Sequence, residues 1–173
     1  LEDGKYILQR INTNIFKNPD ELMENVLNVT EFLKKKITEQ GGNPDRGTLT
    51  VIKTTEGKTF HQTEDGSVYR VYKFIENTRT IESCGSAEDL YHAGVGFGRF
   101  QKMLSDFPVE ILHETIKDFH NTPKRLEALK TAIANDKAGR ASSVQKEIEF
   151  ALKYEKDASI VVDGIADGSI SLC

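Results

Sequence analysis

The stretch from Asn18 to Gly42 constrains the fold more than any other part of this sequence. Asn18-Pro19-Asp20-Glu21 supplies an N-cap, a proline at the first helical position and a glutamate at the capping-box position. Leu22, Val26, Val29, Leu33 and Ile37 then recur at helical spacing, and Gly41-Gly42 end the pattern. A helix this long with one apolar stripe must bury that stripe against something. The flanking residues say what. Residues 5–12 are rich in Tyr, Ile and Leu after the turn pair Asp3-Gly4, and read as a strand. Residues 48–54, 59–62 and 67–75 are β-branched or aromatic and are separated by Glu56-Gly57 and Glu64-Asp65-Gly66. They predict three short antiparallel strands. The first half is therefore α+β, a small antiparallel sheet covered by one helix.

Composition changes near Glu76. The run ENTRTIESCGSAED is polar and aperiodic, so it predicts a connector. Beyond it the spacing predicts helices. Residues 87–104 carry Leu90, Ala93, Phe97, Phe100 and Leu104 on one stripe. Pro123 opens a helix with Leu126, Leu129 and Ile133; Val144, Ile148, Ala151 and Leu152 mark another, and residues 160–166 a shorter one. The final SISLC begins to look like a strand. The division expected is residues 1–82 and residues 83–173.

In 173 residues there are 23 Lys+Arg and 27 Asp+Glu, a net charge of −4. With the basic residues scattered, nucleic acid is a poor partner. No apolar run approaches the roughly 18–20 residues of a membrane helix, and no signal peptide opens the chain. The two cysteines, Cys84 and Cys173, lack metal-ligand spacing and are expected to be reduced, in a cytoplasmic setting. Both ends look cut, the first inside a turn and the last inside an apolar run. Helices following residue 83 are then expected to expose apolar surface, with self-association as a consequence.

Most chemical motifs dissolve on inspection. Gly94-Val95-Gly96-Phe97-Gly98 resembles a phosphate-cradling loop, but it sits inside an amphipathic helical pattern, not between a strand and a helix. Close helix approach is the reading its flanks favour. His61, His92, His113 and His120 fall on different elements, with Pro108 and Pro123 flanking the last two, so no metal set converges. His120 is placed to bond locally around Asn121-Thr122. Asn28-Val29-Thr30 matches a glycosylation sequon in mid-helix, and Glu147, Glu149 and Glu155 read as a solvated helix face. Arg10 stands out. It is a cation near the end of a strand, and Glu24 on the following helix is placed to pair with it if strand and helix pack. An Arg held so can clamp phosphate oxygens, whereas a surface ion pair is the plain alternative.

YILQRIN (residues 6–12), LMENVLNVTEFL (22–33) and YRVYKFIENT (69–78) resemble the N-terminal lobe of bacterial N-acetylhexosamine 1-kinases, within the aminoglycoside phosphotransferase and choline kinase superfamily. The likeness continues through GFGRFQKMLSDFP (96–108), LHETIKDFHNTPKR (112–125) and EIEFAL (147–152). This resemblance implies a protein-kinase-like architecture, a sheet-rich lobe followed by the first helices of a helical lobe, with ATP between them and Mg2+ in the intact enzyme. It implies that Arg10 takes the place of the strand lysine on the ATP phosphates, with Glu24 as its helix partner. It also implies that Lys73, Phe74 and Ile75 form the hinge whose backbone meets the adenine edge, and that the acceptor is an amino sugar. The family's phosphate-covering loop, catalytic His-Asn-Asp run and metal ligands have no counterpart in these residues. No catalytic and no metal-binding residue is therefore assigned, and the chain alone is expected to be inactive. A kinase for an aminoglycoside or choline-type substrate, and a non-catalytic binding module, remain the alternatives.

Overall fold

A computed structural model describes residues 4–78, 80–83 and 85–171. Cys84, Cys173 and Asp3 lie outside the described residues. The chain divides into two compact units, the first running through Thr115 and the second starting at Ile116.

The first unit opens with strand β1 (Tyr6–Ile11), followed by helix α1 (Pro19–Glu39). The Asn18 side chain accepts from Glu21 N at 3.3 Å, which satisfies one of the orphan donors of the first turn. Gly41, at φ +74°, closes the helix in the left-handed region that side chains avoid. A one-turn helix, α2 (Pro44–Gly47), comes next, capped by Asn43. Strands β2 (Val51–Ile52), β3 (His61–Gln62) and β4 (Val68–Lys73) complete a four-stranded sheet of order β1-β4-β2, with β3 also on β4. All the pairings are antiparallel, with Ile11 opposite Val68 and Val51 opposite Tyr72. The sequence-based α+β reading stands at this level: a small antiparallel sheet and its helix.

Two apolar clusters lie along α1. Its first half contributes Met23, which is buried with Ile11 and Val68 and flanked by Leu22, Val26, Val51 and Phe60. Its second half contributes Leu33, buried with Leu104 and Phe107. Those two residues follow α3 (Ala87–Met103), so the end of α3 belongs with the sheet half. Phe32 meets Phe107 edge-on at 5.1 Å between centroids, and Lys36 Nζ donates to Met103 O at 2.8 Å and pairs with Asp106. The rest of α3 buries nothing: Leu90 is 63% and Phe97 73% exposed. The apolar surface expected on the later helices is present.

The second unit holds α4 (Thr122–Asn135), α5 (Gln145–Lys153) and α6 (Ile160–Asp167), joined by short 3-10 turns. The strand expected near SISLC does not form over residues 169–171, and residues 172–173 lie outside the described residues. No helix among the described residues is long and apolar enough to cross a membrane.

Candidate functional site

An apolar concavity in the first unit follows from α1 having more apolar width than the sheet covers. Val26, Val29 and Leu33 of the helix form one wall; Leu49, Ile75 and Phe100 form the others, around about 500 Å3. The volume and apolar lining suit a small organic ligand. The base of this cleft is braced by α2. Lys73 Nζ lies 2.6 Å from Asp45 Oδ2, and Arg46 Nη1 donates to Glu76 O at 2.5 Å. The hydrogen bond from Lys73, more than its charge alone, holds the Asp45 carboxyl below the usual carboxylate range.

The residues singled out in the sequence do not converge. Along β1 successive side chains alternate faces. Ile11 sits in the core with Met23, and Gln9 accepts from Arg70, whose guanidinium also reaches Met23 Sδ at 3.6 Å. That parity places Gln9 and Ile11 on the face covered by α1 and puts Arg10, opposite Tyr69, on the other. Arg10 is exposed, and its charge helps to lower the Asp65 pKa behind the hydrogen bonds from Thr63 and Ser67. Glu24 pairs instead with His113, Oε2 to Nε2 at 2.8 Å. An Arg10–Glu24 pair does not form, because one residue of strand parity separates them.

Of the expected hinge, Ile75 alone lines the cleft. The N–H groups of Lys73 and Phe74 are spent in the sheet on Thr50 O and Lys5 O, both at 2.9 Å, and the Ile75 carbonyl accepts from the Thr78 hydroxyl. Arg10, Glu24, Lys73, Phe74 and Ile75 are thus not brought together at one place.

The remaining candidates resolve into structural parts. Gly94, Gly96 and Gly98 lie inside α3, and a Cβ at any of them would meet nothing within 4 Å, so no close helix partner is seen among the described residues. The sequon is helical, and Thr30 is buried with its hydroxyl on Val26 O at 2.7 Å. FHNTPKR is a helix-capping device. Asn121 accepts from Lys124 N, Lys124 Nζ pairs with Asp118 at 2.5 Å, and Arg125 donates to Phe119 O while covering its ring. His120 makes an edge contact with Phe119, so Asn121 and Arg125, not His120, tie this turn. Among the described residues no group of three or more His, Cys, Asp or Glu could hold a metal ion.

The residues missed in the sequence are Asp45, Arg46 and Asn25. Asn43-Pro44-Asp45 repeats the Asn-Pro-Asp signal that starts α1, and it marks α2 for the same capping reason. Asn25 gave no such signal. Its amide exchanges two bonds with the His113 backbone, 2.8 Å to the carbonyl and 2.9 Å from the N–H, and straps that segment to α1. No protein-family model matches this chain.

Proposed function

We propose that this chain is part of an ATP-dependent kinase that phosphorylates the anomeric hydroxyl of N-acetylhexosamines. The observation that carries the reading is connectivity. A strand bearing a cation leads into a long helix, and the chain then returns to make β4 the centre of an antiparallel sheet. Kinases keep their phosphate-contacting cation on a strand and follow it with the helix that supports it. The stretches of residues 6–12, 22–33 and 69–78 that resemble the family fall on β1, α1 and β4 with its exit. ATP would supply the phosphoryl group and Mg2+ the neutralising charge. Arg10, exposed on the sheet face that α1 does not cover, would meet phosphate oxygens.

Glu24 held by His113 favours a second reading, a binding module without catalysis, because that bond leaves the strand cation without its helix partner. The test is transfer from ATP to an N-acetylhexosamine by the full-length gene product. Sugar-1-phosphate should form, and Arg10→Ala should weaken ATP use. Activity confined to choline or an aminoglycoside would overturn the substrate while keeping the class. No transfer, and no change in melting temperature with Mg-ATP, would leave the binding module.

A further inference from the structure

We propose that the cleft beside α1 binds a small apolar carboxylic acid, its hydrocarbon body along the helix and its carboxylate on Arg46 and Thr48. The cleft lies wholly within the first unit, and α1, the α2 turn, Ile75 and Phe100 supply its walls. A volume of about 500 Å3 falls in the range of small-molecule sites, which are apolar with a few polar groups that fix orientation. Leu49 is 40% and Phe100 45% exposed, so an occupant has apolar surface to cover there.

Thr48 turns this apolar hollow into a site. It lines the cleft at 8% exposure, and its hydroxyl has no hydrogen-bond partner among the described residues. Nor is that hydroxyl sealed, since Thr50 Oγ1 is the only fully occluded side-chain atom without a partner among them. A hydroxyl left unpaired in so buried a place costs free energy that a ligand oxygen would restore. Thr30, the other hydroxyl of the lining, is already spent on Val26 O. Charge then selects the head of the ligand. Arg46, also on the lining, gives Nη1 to Glu76 O and has no carboxylate partner among the described residues. The two acids beside it are taken by lysines, Asp45 by Lys73 at 2.6 Å and Glu76 by Lys5 at 3.1 Å. Arg46 therefore brings an unneutralised charge and further N–H groups to the lining, a planar fork that suits a carboxylate. Asn25 adds one amide N–H, its other being used on His113 O. This inference does not rest on the kinase reading.

The experiment is calorimetric titration of the full-length gene product with decanoate and, as its uncharged counterpart, decanol. Decanoate should bind one per chain, and decanol about tenfold or more weakly, because only the carboxylate makes charge-assisted bonds. Arg46→Ala should weaken decanoate by a similar factor, with Arg46→Lys restoring part of the loss. Thr48→Val, which keeps the shape of the side chain and removes the hydroxyl, should weaken it about two- to tenfold. Val29→Trp, which sets a large ring in the cleft, should abolish binding with an unchanged circular dichroism spectrum. Saturating Mg-ATP should leave the affinity for decanoate as it was. No binding, equal affinity for decanol, full affinity in either Arg46→Ala or Thr48→Val, or displacement by Mg-ATP would each overturn the proposal.

Discussion

Asn25 and Glu24 are neighbours on α1 that grip the same residue by different means, and their energies differ for that reason. The Asn25 amide takes both backbone groups of His113, in the manner of a strand partner. Removing it leaves a partly buried N–H and C=O without partners, which costs about 1–3 kcal/mol. Glu24 and the His113 ring form a hydrogen-bonded side-chain pair open to water, worth about 0–1 kcal/mol. Asn25→Ala should therefore lower the urea midpoint more than Glu24→Ala, and amide exchange at His113 should accelerate only in the first variant. The opposite order would mean that the Glu24–His113 side-chain pair, not the amide, holds the strap.

At the scale of elements, α3 shows what a helix looks like when its propensity and its burial disagree. Three glycines in its interior weaken it, and no neighbour among the described residues gives a reason for their size. Substituting Gly94, Gly96 or Gly98 by Ala should stabilise the chain by about 0.5–1 kcal/mol each, read from the thermal or urea transition. A loss of stability would reveal a close contact at that face. The elements themselves were largely legible. Asn18-Pro19 and Gly41-Gly42 bounded α1 because caps act through local geometry, and Pro123 opened α4 for the same reason. The strands came out shorter than their β-branched runs. Only Val51 and Ile52 of residues 48–54 lie opposite β4, and Thr54 already turns back to Lys58. The candidate site was far less legible. Tyr6 and Leu8 make one face of β1 apolar, while Ile7 and Ile11 do the same for the other, so alternation gave no sign of which face α1 covers. That parity decides where Arg10 points. The His113 strap carries no periodicity at all; a side-chain amide replacing a strand partner leaves no pattern to read.

For the whole molecule, electrostatics sets a pH window that can be argued from its aspartates. Asp45, Asp106 and Asp118 are held below the usual carboxylate range by hydrogen bonds from Lys73, Lys36 and Lys124, and Asp65 and Asp167 by those from Thr63 and Ser169. In the unfolded chain each returns to about 3.9. A depressed folded pKa means that the unfolded state binds protons first. The stability these groups contribute is complete above the unfolded value and drains away as pH falls through the lower folded ones. Lys130 works in the opposite sense. Hydrogen bonds to Glu155 and Glu127 raise its pKa, so its contribution is complete below the ordinary lysine value of about 10.4 and is lost as pH rises through the folded one. For these groups the urea midpoint should be flat from about pH 5 to 9 and fall below about pH 4. Aspartates of this kind occur in both units, so acid should act on each. Asp106→Asn and Asp118→Asn should flatten the acid limb while leaving the alkaline limb unchanged. A midpoint that rises on acidification through pH 4 would show that charge repulsion in a chain of net charge −4, not the hydrogen-bonded aspartates, governs the response.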